Sequence, residues 1–187
     1  MSAGFQLKTS QSSGDYCGAI RRFDIPSDNG GRLAIGDVVT LTGDSNTSDG
    51  EAEIVIASQS ARIAGVIQSF APDIANESFN DAGGIAASTA GKAFVAVDKN
   101  LLFEVECSAT LNAADVGLNA DAVVTAATQS GGLTVSNMTL DSATKATTAT
   151  LHFKIHQLLE GATSGTLGDR ALVSINGSYL QGDITGV

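Results

Sequence analysis

The sequence predicts an all-β protein, mainly antiparallel and sandwich- or barrel-like, with at most short helical turns. Three observations carry that expectation. The apolar runs are short, they alternate or are rich in β-branched residues, and Asn, Asp and Gly clusters divide them along the whole chain. No run has the length and 3.6-residue period of a long helix, and no repeat of fixed period is present. At 187 residues the chain can bury a sizeable core.

Residues 1–15 are polar and rich in Ser, Gln and Gly, which reads as an extended N-terminal arm. Residues 16–187 read as a single compact β domain, the alternative being two lobes that meet near 92–107. The first strand is expected around Gly18–Phe23, closed by a turn cluster over Ile25–Gly31. Leu33–Leu41 follows, with a bend or bulge at Gly36-Asp37, and Gly43–Gly50 is a solvated loop. Glu53–Ala57 and Arg62–Phe70 are two further strands. Residues 71–91 form the longest irregular stretch. Ala93–Val97 and Leu101–Cys107 read as a hairpin around Asp98-Lys99-Asn100. Asn112–Gly117 gives one helical turn, with Asn112 as N-cap and Gly117 as the left-handed exit. Val123–Thr125, Leu133–Leu140, Thr147–Leu159 and Ala171–Ile175 complete the strands.

Composition narrows the function classes. The chain carries 20 acidic and 10 basic residues, a net charge of −10, and Arg21-Arg22 is the only adjacent basic pair. Nucleic-acid binding needs a concentrated cationic face to neutralise phosphates, so no nucleic-acid partner is expected. With 5% aromatic residues and no Trp, the anchors of an affinity-driven pocket are scarce. The N-terminus lacks an apolar h-region, and no run is long enough to cross a bilayer, so neither signal peptide nor membrane partner is expected. Cys17 and Cys107 show no metal spacing; two free thiols are favoured over a disulfide.

Few residues could carry chemistry. In Leu151–Leu159, Leu151, Phe153, Ile155 and Leu159 share one strand face, and His152, Lys154 and His156 share the other. Two histidines four residues apart on a strand are on the order of 13 Å apart, too far to chelate one ion. The three residues therefore read as a solvated or interfacial face. Gly84–Lys92 fails as a phosphate loop, because six residues separate its glycines and Ala93 stands where Ser or Thr would hold Mg²⁺. Asp44–Ser48 fails as a calcium loop, since Gly50 comes one place late and Val55 replaces the closing Glu. Glu104 and Glu106 share a strand face, the common structural arrangement. There is no Gly-x-Ser-x-Gly elbow, so no enzyme activity, metal or cofactor is expected.

An ordered series of short segments does point to a function. It runs Leu33–Val39, Ala64–Ile67, Ala93–Asp98, Leu102–Val105, Val116–Asp121, Leu140–Ser142, Thr147–Leu151 and Val173–Asn176. The series resembles the head decoration, or cement, proteins of tailed bacteriophages. Two departures stand out: loop 71–91 lacks the aromatic and proline cluster of the family, and Glu160–Gly165 replaces a more basic turn. The resemblance implies a non-enzymatic virion protein, made in the host cytoplasm and placed on the capsid exterior. Its partners would be the major capsid protein and itself, as a homotrimer at three-fold and quasi-three-fold positions. Arg21, Arg22, His152, Lys154 and His156 are the candidate capsid or interface contacts. The alternative is a β-rich virion or surface module recognising host glycan, for which Tyr16 and Tyr179 are a thin aromatic supply.

Overall fold

The structure is a computed structural model describing residues 4–11, 20–59, 61–72 and 83–179. Its strands run β1 (Gln6–Ser10), β2 (Ile20–Ile25), β3 (Leu33–Ala34), β4 (Val38–Ser45), β5 (Ala52–Ile56), β6 (Gly65–Phe70), β7 (Gly84–Ile85) and β8 (Gly91–Ala96). Then come β9 (Leu101–Glu106), β10 (Asn119–Ala120), β11 (Ala122–Val123), β12 (Thr128–Ser130), β13 (Leu133–Val135), β14 (Thr139–Leu140), β15 (Phe153–Glu160) and β16 (Leu167–Ile175). Strand makes up 50% of the described residues and helix 2%, which settles the class as all-β.

Two bodies dominate. Strands β2-β5-β4-β6-β8 close into a small barrel, and β1-β9-β16-β15-β10 form an antiparallel five-stranded sheet. The barrel's interior holds Phe23, Val39, Ile54, Ile67 and Val95. A second core holds Phe5, Phe103, Phe153, Ile155 and Val173 from the sheet side, together with Val38, Val66 and Ala96 from the barrel strands. Consecutive pairs such as Val38-Val39, Val66-Ile67 and Val95-Ala96 thus send one side chain to each core. That explains why these strands read as continuous apolar runs rather than alternating ones: both of their faces are buried. Gly65 makes the packing between β6 and β8 feasible, because a Cβ there would stand 2.1 Å from the Ala96 carbonyl oxygen.

Gly36 takes a left-handed φ of 90° and makes the expected bend between β3 and β4. The helical turn is also present, as a 3-10 turn over Ala113–Asp115. Asp115 accepts the Asn112 N–H at 2.8 Å, and Gly117 exits with φ 94°. Strand β4 runs on to Ser45, so the loop expected from Gly43 is shorter than the sequence implied.

Four expectations need correction. Of the supposed arm at 1–15, Gln6–Ser10 is the edge strand of the sheet, paired with Leu101–Glu104. Phe5 is buried and stacks on Phe153 with ring centroids 4.3 Å apart. The hairpin expected around Asp98 is a turn but not a hairpin. The Leu101 N–H returns to the Asp98 carbonyl, yet β8 ends in the barrel and β9 begins in the sheet. The strand expected from Thr147 starts only at Phe153, because side-chain amides capture the preceding carbonyls. Asn119 takes Thr148, and Asn176 takes Ala149 and Leu151. Finally, β15 is bulged between Ile155 and Gln157, so Leu158 rather than Leu159 packs on the core. Cys17, Tyr16, residues 12–15 and residues 73–82 of the long loop lie outside the described residues.

Candidate functional site

The candidate residues fall in three different settings. Arg21 and Arg22 lie on β2, opposite Val95 and Phe94 of β8, and both are exposed. Arg22 is already engaged, donating from Nε to Glu51 Oε1 at 2.6 Å, and this carboxylate raises the guanidinium's already high pKa. Arg21 makes no ion pair among the described residues. Beside them Lys92 of β8 reaches Asp24 at 2.7 Å, Glu51 at 3.0 Å and Asp49. Its neighbours, Asp24 foremost, push the Lys92 pKa up. Hydrogen bonds hold the Asp49 carboxyl (from Lys92) and the Glu51 carboxyl (from Arg22) below their usual range. Asp24, Asp49 and Glu51 are close enough together to ligate one ion, but the Lys92 ammonium occupies their centre. This is an internal salt lock on the barrel wall; of its five members sequence reading singled out only Arg22 as a candidate contact.

His152 is not on the outer face of a strand. It sits in the bend before β15 and is fully buried. Its Nδ1 accepts the Ala122 N–H at 3.2 Å, and its own N–H donates to Asp121 Oδ1 at 3.2 Å. Burial lowers its pKa, against the pull of Asp121 and of the Ala61 and Ser58 carbonyls. Nε2 nevertheless finds no partner in hydrogen-bonding geometry. In the neutral ring the acceptor role of Nδ1 places the proton on Nε2. A catalytic Asp–His pair needs the reverse, with Nδ1–H donating to the carboxylate. His152 is therefore a loop-holding residue: its carbonyl accepts from Asn176 and Gly177, tying the bend to the end of β16. It is withdrawn from the candidate contacts.

Lys154 and His156 do share the outer face of the sheet. Lys154 pairs across to Ser174, and His156 is the extra residue of the β15 bulge. The bulge aims its ring so that Nε2 lies 2.8 Å from Ser174 Oγ and 3.5 Å from Gln11 Nε2. Burial, and then the Lys154 charge, lower the His156 pKa. The two residues line a cavity of about 200 Å³ with Gln11, Lys99, Asn100 and Ser174. Sequence reading found Lys154 and His156 by their shared parity. It missed Lys99, which looked like an ordinary turn residue.

No family model, curated protein or solved structure matches the chain.

Further along the same sheet face the charges are neutralised. Glu104 binds Arg170, and Lys8 at 3.1 Å. Of the Glu104–Glu106 pair, Glu104 is thus committed to cations. Cys107 carries a free thiol, pushed up to about 12 by burial and the nearby Asp169 and Glu106, so at neutral pH it is not a thiolate nucleophile.

Proposed function

We propose that this chain is a non-enzymatic virion structural protein that binds the outer surface of a phage capsid and stabilises the shell, as trimers at three-fold and quasi-three-fold positions. The observation that carries this reading is the ordered series of segments resembling head decoration proteins. Leu33–Val39, Ala64–Ile67, Ala93–Asp98, Leu102–Val105 and Val173–Asn176 supply walls of the two cores. The likeness therefore lies in the parts that determine the fold.

The physics is compatible with the role. A clamp repeated across a lattice gains by avidity, so modest contacts suffice. The five-stranded sheet has an edge strand, β1, that a neighbouring copy could cover. Three chains of −10 each repel, but at physiological salt the Debye length of about 8 Å confines that to neighbouring charges. The test is a reconstruction of phage heads saturated with the purified protein. Density at the three-fold and quasi-three-fold positions is expected; single copies scattered elsewhere, or no attachment, would end the proposal.

A further inference from the structure

The cavity beside β15 stands apart from the other lysine positions among the described residues. The chain has five lysines and twice as many carboxylates as basic groups. Lys8, Lys92 and Lys145 each hold a carboxylate, Lys145 reaching Asp115 at 2.9 Å. Lys99 and Lys154 make no ion pair or hydrogen bond among the described residues, and both line this one cavity. With carboxylates in such surplus, two unpaired ammonium groups at a shared site are not a by-product of composition.

We propose that this cavity is a binding site for a single oxyanion group, a carboxylate or a phosphate, held between the Lys99 and Lys154 ammonium groups. No carboxylate among the described residues lines it. The nearest in sequence, Asp98, is turned to the Asn100 N–H at 2.8 Å. Two strands and a turn build the site. β15 supplies Lys154 and, through its bulge, His156; β16 supplies Ser174; the turn after β8 supplies Lys99 and Asn100. Gln11 closes the rim, its N–H fixed to the Asn100 carbonyl at 2.7 Å. The volume of about 200 Å³ admits a carboxylate or phosphate head with a few waters, not a large ligand. Charge-assisted bonds to two lysines supply the affinity, and the amide of Gln11 and the imidazole of His156 supply polar contacts at the rim. The inference stands independently of the capsid reading.

The chain's two histidines provide the test, because His156 borders the cavity and His152 is buried elsewhere. Inorganic phosphate and, separately, acetate are titrated into the protein at fixed pH and fixed ionic strength, with chloride as the balancing anion. The ring C–H resonances of His156 are expected to shift saturably in the millimolar range while those of His152 stay put. Lys99→Ala and Lys154→Ala should each weaken binding by about five- to tenfold, whereas Lys145→Ala should leave it unchanged. Response to both anions assigns any oxyanion, including a carboxylate carried by a protein; response to phosphate alone assigns the phosphate class. Absence of a saturable His156 shift with either anion would overturn the proposal, as would unaltered binding in both lysine variants.

Discussion

The barrel and the five-stranded sheet treat the same residue types in opposite ways. On the barrel wall, Lys92 and Arg22 are surrounded by Asp24, Asp49 and Glu51, so every one of those charges is spent inside the molecule. On the sheet, Lys8 and Arg170 are spent likewise on Glu104, but Lys99 and Lys154 are left open around a cavity. Cations that are locked report on architecture, and cations that are left open report on what the surface meets. Counting charges in the sequence cannot separate the two. The ladder can, because it decides which carboxylate stands next to which ammonium.

The largest effect should come from the sheet's dependence on its first strand. Phe5→Ala removes a buried ring stacked on Phe153, and about 3–5 kcal/mol of stability should go with it in urea unfolding. A loss under about 1 kcal/mol would mean that the N-terminal segment is the dispensable arm its composition implied.

Next comes the buried acid of the barrel. Asp37 precedes β4, accepts the Ala34 N–H at 2.8 Å, and is raised to about 7 by burial, with Ser136 and Ala34 opposing. Its Oδ1 is left unpartnered. A raised acid pKa gives stability that is full below the unfolded value near 4 and is lost as pH rises through about 7. Asp37→Asn should therefore gain up to about 2–4 kcal/mol at pH 8 and flatten the curve between pH 4 and 7. His152 has the opposite sign: its lowered pKa gives stability that is lost as pH falls below its unfolded value of 6.5. Unfolding of the Asp37→Asn variant should then lose stability on acidification below that point. A variant that keeps the wild-type slope would show that Asp37 titrates normally.

The comparison itself is sharpened by lysine replacement. Lys92→Met strands the buried Asp24 carboxylate and should cost about 2 kcal/mol at neutral pH, less in acid where carboxylates are protonated. Lys99→Ala with Lys154→Ala should cost under about 0.5 kcal/mol, since no partner is lost. On the capsid reading, the same double variant should lower head occupancy, measured by densitometry of decorated heads. Equal stability losses for the two lysine sets would erase the distinction between locked and open cations.

Most of the fold was legible where the physics is local. Gly36, Gly117 and the turn at Asp98 did what their backbone freedom and side-chain capping predict. The continuous apolar pairs were legible as strands, though not as strands serving two cores. What escaped depends on distant partners. Gln6–Ser10 is polar because an edge strand has one wet face, so it looked like a tail. The β-branched residues Thr147, Thr148 and Thr150 looked like strand until Asn119 and Asn176 captured the neighbouring carbonyls. That put His152 in the interior. The His156 bulge exists only relative to β16, which begins eleven residues further on, so no pattern within β15 could reveal it.

The split between barrel and sheet also sets an order of assembly. All five barrel strands lie within Ile20–Ala96, whereas the sheet uses Gln6–Ser10 and then nothing before Leu101. Synthesis at about 5–20 residues per second leaves roughly 4–16 s between Ala96 and the end of β16 at Ile175. Small β domains fold in milliseconds to seconds, so the barrel has time to close on the ribosome. Until β9 follows with Leu101–Glu106, the first strand, with Phe5 beside it, has no ladder to join. The first strand thus stays unpaired while the whole barrel is made, and over that span it is the stretch that a chaperone would have to shield.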